Sequence, residues 1–124
     1  MKRDIENRED IELMVDEFYE KIKTDRVIGF IFNDIAKINW NKHLLTMYDF
    51  WESTIFFTGG YDGNPLKIHK HLNQRIALQK EHFSQWNQLF IETVDALFEG
   101  RNATFVKQRA ASISAVMQIK IIQQ

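Results

Sequence analysis

Four histidines, His43, His69, His71 and His82, are the side chains best suited to hold a metal, because a neutral imidazole nitrogen is a common ligand for iron and zinc. No two of them stand at the His-Glu-x-x-His or Glu-x-x-His spacing that sets two ligands on one helical face, so neither a zinc nor a di-iron centre is expected. His69 and His71 are two apart. On a helical turn they point to nearly opposite sides, so one faces inward while the other meets water, which suits a single inward ligand. Spacing alone favours the plainer reading, two surface histidines on a polar turn beside Lys67 and Lys70. His82, next to Glu81 at a predicted helix start, reads as a capping or surface residue.

Tyr19, His43 and Trp86 form a second set, each at the edge of an apolar helical stripe and each with a polar tip that needs a partner if buried. Taken singly, each reads as a core aromatic bonded to a backbone carbonyl. The carboxylates Glu9-Asp10, Asp16-Glu17 and Glu92 to Asp95 fall mainly on solvated faces, and no Ser, His and Asp arrangement suggests an activated nucleophile. The glycines from Gly59 to Gly63 lack a following Lys-Ser/Thr, so they are not a phosphate cradle.

The elements that must position these residues read as helices. Ile11, Met14, Val15, Phe18 and Ile22 recur with helical spacing until Asp25-Arg26 breaks the pattern, and Val27 to Phe32 follows as a short apolar run packed beneath its neighbours. From Trp40 to about Thr58 two stripes overlap, Trp40, Leu44, Met47 and Trp51 beside His43, Met47, Phe50 and Thr54, with Gly59-Gly60 as the stop. Pro65 opens a brief turn to about Leu72. Phe83, Trp86, Asn87, Phe90, Val94 and Leu97 mark the next helix, and the last, Asn102 to about Ile122, is expected to bury Phe105, Ala110, Ile113, Val116 and Met117. No segment alternates as a half-buried strand does, so the fold class is all-α.

Composition narrows the classes further. The 124 residues are one domain's worth and carry 16 basic and 17 acidic side chains, without the concentrated basic face that nucleic acid requires. With no cysteine, thiol nucleophiles, iron–sulfur clusters and thiolate metal sites are closed. No uncharged run spans a bilayer and no apolar stretch follows the first charges, so a cytoplasmic protein without membrane partners is expected. Ten Phe, three Trp and three Tyr are a heavy aromatic load for so small a chain. Such wide faces either bury one another as a bundle or close around a flat apolar guest.

Read together, Phe18-Tyr19-Glu20-Lys21-Ile22, Ile28-Gly29-Phe30-Ile31-Phe32, Trp40-x-x-His43, Phe50-Trp51, Tyr61-x-Gly63-x-Pro65-x-x-x-His69 and His82-Phe83-x-x-Trp86-x-x-Leu89-Phe90 resemble the group III truncated haemoglobins. The pieces run in order from about residue 11 to 115. The resemblance implies a single globin domain over 1–124, a two-over-two helical sandwich holding one haem b. His69, four residues after Pro65, matches the proximal iron ligand, and Tyr19, His43 and Trp86 match the distal polar residues. Phe32 matches the phenylalanine packed against the porphyrin, and Met47, Phe50 and Trp51 match pocket-lining residues. Lys67, Lys70, His71 and Arg75 are candidate propionate partners. Many relatives have proline at Phe30 and a basic residue at Gln85, so this chain departs from the pattern there.

Under this resemblance the partners are dioxygen and other diatomic ligands, and the distal donors set how long a ligand stays. Hydrogen bonds to a partly charged acceptor contribute about 1.5–3 kcal/mol each. Two of them slow ligand escape by about two orders of magnitude or more. A ligand trap, a sensor or a redox site fits that better than an oxygen carrier. Turnover, if any, is nitric oxide detoxification or peroxidase-like chemistry fed by an external reductase. The rival expectations are a haem-free helical interaction module and a haem-based gas sensor.

Overall fold

A computed structural model describes residues 2–31, 39–58 and 78–119. Among them lie four helices and no strand: α1 (Arg8–Thr24), α2 (Trp40–Phe56), α3 (Lys80–Leu97) and α4 (Arg101–Met117). Helix α1 packs on α2 and α3, α3 packs on α4, and α2 also reaches α4. No described helix is long and apolar enough to cross a membrane.

Helix α1 starts where Asn7 accepts a hydrogen bond from the Asp10 backbone N–H at 3.0 Å, with Glu9 and Asp10 in the first turn and Lys21 and Lys23 in the last, as the helix dipole favours. Its inward stripe is the expected one: Ile11, Met14, Val15, Phe18 and Ile22 are all buried. Asp25 ends the helix and organises the following turn. One carboxylate oxygen accepts from the N–H groups of Val27 and Ile28 at 2.9 and 3.0 Å, and the other accepts from the Gln85 amide at 2.7 Å, tying the turn to α3. Gly29 is required by close approach: a Cβ there would stand 2.9 Å from the carbonyl oxygen of Ile22.

Helix α2 is capped by Asn39, whose side chain accepts from Lys42 N–H at 3.3 Å. It ends two residues before the glycines expected to stop it, because Phe57 itself adopts the left-handed conformation (φ 58°, ψ 38°) and its N–H closes on Ser53 O. The ring of Phe57 is 86% exposed. Only Trp51 and Ile55 of α2 are buried, while Leu44, Met47 and Phe50 are partly buried against the core. Helix α3 begins at a cap in which the Gln79 N–H donates to His82 Nδ1 at 2.9 Å, the role expected of His82.

Helix α4 buries Ala110 and Met117 as expected and packs Ile113 against the core, but corrects the expected face at Phe105 and Val116. Ala103, Val106, Ala110, Ser114 and Met117 are buried, whereas Phe105 and Val116 are 40% and 49% exposed. The helix turns its smaller side chains toward α3, where Ser114 reaches the Phe83 carbonyl at 3.4 Å, because small residues let two backbones approach. Helical backbone runs on to 119; the stretch to Ile122 lies partly outside the described residues.

The N-terminal segment corrects a second expectation. Asp10 is not solvated but 4% exposed, gripped by Arg3 (2.7 Å from Nη1) and by the Glu6 N–H at 2.8 Å. Asp4 caps α4 across the fold, accepting from the N–H groups of Asn102 and Ala103, each at 2.9 Å. Gly100, with φ +148°, leaves room for it: a Cβ there would fall 2.5 Å from Asp4 Cγ. The centre of the core is Phe90. Its ring meets Phe18 edge-on at 5.2 Å and stacks on Trp51 at 5.1 Å and Trp86 at 6.0 Å.

Candidate functional site

The last turns of α1 meet the first turns of α2 through rings. Tyr19 is buried and meets His43 edge to face, centroids 4.9 Å apart and planes at 82°. Trp40 closes the group, 5.7 Å from Tyr19 and 6.0 Å from His43, again edge-on. Trp40 and His43 share a face because they stand three apart at the start of α2. Over the ring of Trp40 lies Lys23, its Nζ 4.6 Å from the centroid, and the same ammonium pairs with Glu20 at 3.2 Å.

Phe18 links this group to α3. Its ring touches Tyr19 at 4.8 Å and Trp86 at 5.6 Å, both edge-on, so Tyr19 and Trp86 flank one phenylalanine. Trp86 is half-buried and stacked on Phe90. Burial pushes the Tyr19 phenol well above its ordinary value of 10.0, so it keeps its proton and remains an O–H donor throughout the neutral range. Met47 and Phe50 lie half-buried along α2, and Trp51 is buried with its ring 4.9 Å from Phe50.

Tyr19 and His43 are thus brought into contact, and Trp86 joins them through Phe18. His69, Phe32 and Lys67 lie outside the described residues, as do Lys70, His71 and Arg75. Gln85, where the resemblance leads one to expect a base, is engaged with Asp25. Three participants went unremarked as site residues in the sequence. Trp40 and Lys23 are two of them; the third, Asn87, follows Trp86 in α3 and has a buried Oδ1 without a hydrogen-bond partner among the described residues, though no contact there ties it to the ring cluster. Asn87 carried a signal, a polar side chain inside the stripe of Phe83, Phe90 and Val94. Lys23 carried none, since a lysine in a helix's last turn ordinarily serves the dipole.

No family model matches the chain. It is 31% identical over 121 residues to the group 3 truncated hemoglobin ctb of Campylobacter jejuni subsp. jejuni serotype O:2, an alignment spanning 95% of this chain and 93% of that protein. The crystal structure of the group III truncated hemoglobin from Campylobacter jejuni superposes with a TM-score of 0.84 at 30% identity, covering 98% of this chain and 95% of that one. The fold is therefore that of a truncated globin, the two-over-two arrangement of helices. Within that class, the chain belongs to the group III truncated haemoglobins.

Proposed function

We propose that the chain is a single haem-binding domain that takes one haem b and binds dioxygen and other diatomic ligands, with His69 as the proximal ligand and Tyr19, His43 and Trp86 on the distal side. The observation that carries this reading is the contact between Tyr19 and His43, two side chains able to donate hydrogen bonds, on an otherwise aromatic wall. The residues fit a porphyrin. Met47 and Phe50, half-buried along α2, are the proposed apolar flank, with the buried Trp51 against Phe50, and Tyr19 and His43 supply donors. The haem supplies the iron that takes the ligand; the chain supplies everything that decides how long it stays.

Tyr19 holds its proton, which supports its O–H as a donor to the partly negative end of a bound diatomic, and the indole N–H of Trp86 is the proposed second donor. Apolar rings around them exclude water and strengthen both bonds. Lys67 is the proposed propionate partner and Phe32 the ring against the porphyrin. A pocket that retains its ligand suits nitric oxide removal, in which nitric oxide takes up dioxygen and one electron from an external reductase to leave nitrate. It also suits peroxidase-like chemistry. The proposed place of action is the cytoplasm.

The test is an absorption spectrum of the purified protein with added haem, ferric, reduced and carbon monoxide-bound, beside His69→Ala. A one-to-one complex with the Soret band of a histidine-ligated haem, lost or shifted in the variant, is the expected result. No stoichiometric uptake, or uptake indifferent to His69, overturns the proposal and leaves the aromatics as packing alone.

A further inference from the structure

The Tyr19, His43 and Trp40 rings form a closed triangle, each pair edge-on, at 4.9, 5.7 and 6.0 Å. In a triangle no ring moves without breaking two contacts. Trp40 and His43 are half-buried whereas Tyr19 is buried, and Trp40 stands at the first position of α2, where the Asn39 cap holds the backbone but the ring needs something of its own to hold it. Lys23 is that something. Its ammonium reaches from the last turn of α1 to the face of Trp40 at 4.6 Å, so a cation on one helix clamps a ring on the other at the mouth of their junction.

We propose that Trp40, clamped by Lys23, is a positioning residue of the distal pocket: it fixes the edge-on geometry of Tyr19 and His43 and so sets the rate at which a diatomic ligand leaves. This rests on the haem-binding reading above. Trp40 needs no contact with the ligand. It works by denying the His43 imidazole and the Tyr19 ring the space into which they would swing. Charge matters as well as bulk, because an uncharged side chain at position 23 leaves the indole packed but not anchored.

The experiment uses the haem-reconstituted protein and the variants Trp40→Leu, Lys23→Met and Lys23→Arg. Three quantities are measured: the dioxygen dissociation rate, the carbon–oxygen stretching frequency of the carbon monoxide complex, and the NMR signals of the His43 ring in that diamagnetic complex. Trp40→Leu is expected to move all three, speeding dissociation by about tenfold or more. Lys23→Met shifts them the same way, with dissociation faster by about two- to fivefold, and Lys23→Arg restores the parent values because a guanidinium also stacks on indole. Should Trp40→Leu fail to fold, the Lys23 pair decides. Haem taken up normally with all three quantities unchanged overturns the positioning role and leaves the haem reading standing. A parent protein that takes up no haem removes both.

Discussion

The ring of Phe90 lies parallel to that of Trp51, centroids 5.1 Å apart and planes 15° from coplanar, so α2 and α3 are joined by a face-to-face stack at the centre of the core. Phe90 is 1% exposed and also touches Phe18 and Trp86, placing three helices on one side chain. Phe90→Ala is expected to cost about 3–5 kcal/mol through lost burial and the cavity left behind. Urea unfolding of the two proteins checks this, and a cost below about 1 kcal/mol would mean the stack is not the keystone of the packing.

If the Tyr19 hydroxyl and the Trp86 indole hold the ligand, each removal has a predictable size. Tyr19→Phe is expected to speed dioxygen dissociation by roughly 10- to 150-fold, the kinetic equivalent of one charge-assisted hydrogen bond. Trp86→Phe is expected to act in the same direction. Stopped-flow ligand exchange on the haem-bound proteins measures both, and an unchanged rate in either variant removes that residue from the donor set.

Gly100→Ala tests the cap that α4 takes from outside itself. A methyl group there collides with the Asp4 carboxylate and requires a left-handed φ of +148° from an alanine. The strain and the lost cap together are expected to cost about 2–4 kcal/mol. Faster hydrogen exchange at the amides of Asn102 and Ala103 would locate the damage.

Acid should act on the same region. Burial opposes ionisation of Asp4 and Asp10, but it is outweighed: the N–H groups of Asn102, Ala103 and Ile5 hold Asp4, and Arg3 with the N–H of Glu6 holds Asp10, below the ordinary carboxylate value of 3.8. Both carboxyls are lower in the folded protein than in the unfolded chain. Their contribution is therefore fully present above that value and is lost as pH falls through and below it. The Asp4→Asn, Asp10→Asn double variant is expected to be less stable at neutral pH and to lose less on acidification. Thermal unfolding from pH 7 down to pH 2.5 reads both effects, and parallel curves for parent and variant would refute the assignment.

Phe57→Gly is expected to stabilise. The position is left-handed and the ring is almost fully exposed, so glycine relieves the Cβ clash and gives up little burial. The gain expected is about 0.5–1 kcal/mol, seen as a raised urea midpoint with an unchanged slope. A loss would mean the phenylalanine ring serves a contact worth more than its strained backbone.

Much of this fold is legible in the sequence where large apolar residues recur at helical spacing. Ile11, Met14, Val15, Phe18 and Ile22 announce α1, and Phe83, Phe90 and Val94 announce α3, because bulk on one face leaves a single way to bury it. The rule only half works on α4, where Ala110 and Met117 are buried as expected but Ala103 and Ser114 share their face with Val106 and the eye goes instead to Phe105 and Val116. Close approach of two backbones selects small residues, and a stripe of small residues has no hydrophobic signature. Asp10 is illegible for another reason: its burial depends on Arg3, in a segment without periodicity. Tyr19, His43 and Trp86 stand out as polar tips on apolar faces, and the structure brings the first two together. The clamp of Lys23 on Trp40 joins the end of one helix to the start of the next, a pairing that no local pattern encodes.

The cap that Asp4 places on α4 spans 98 positions of sequence. On a ribosome adding about 5–20 residues each second, Asp4 emerges about 5–20 s before the amides it will hold. Helices form in microseconds. For that whole interval Asp4 has no α4 amides to hold, while its neighbours Arg3 and Glu6 can already engage Asp10 of α1. Birth order thus makes the Asp4 cap a late closure of the fold rather than a seed for it.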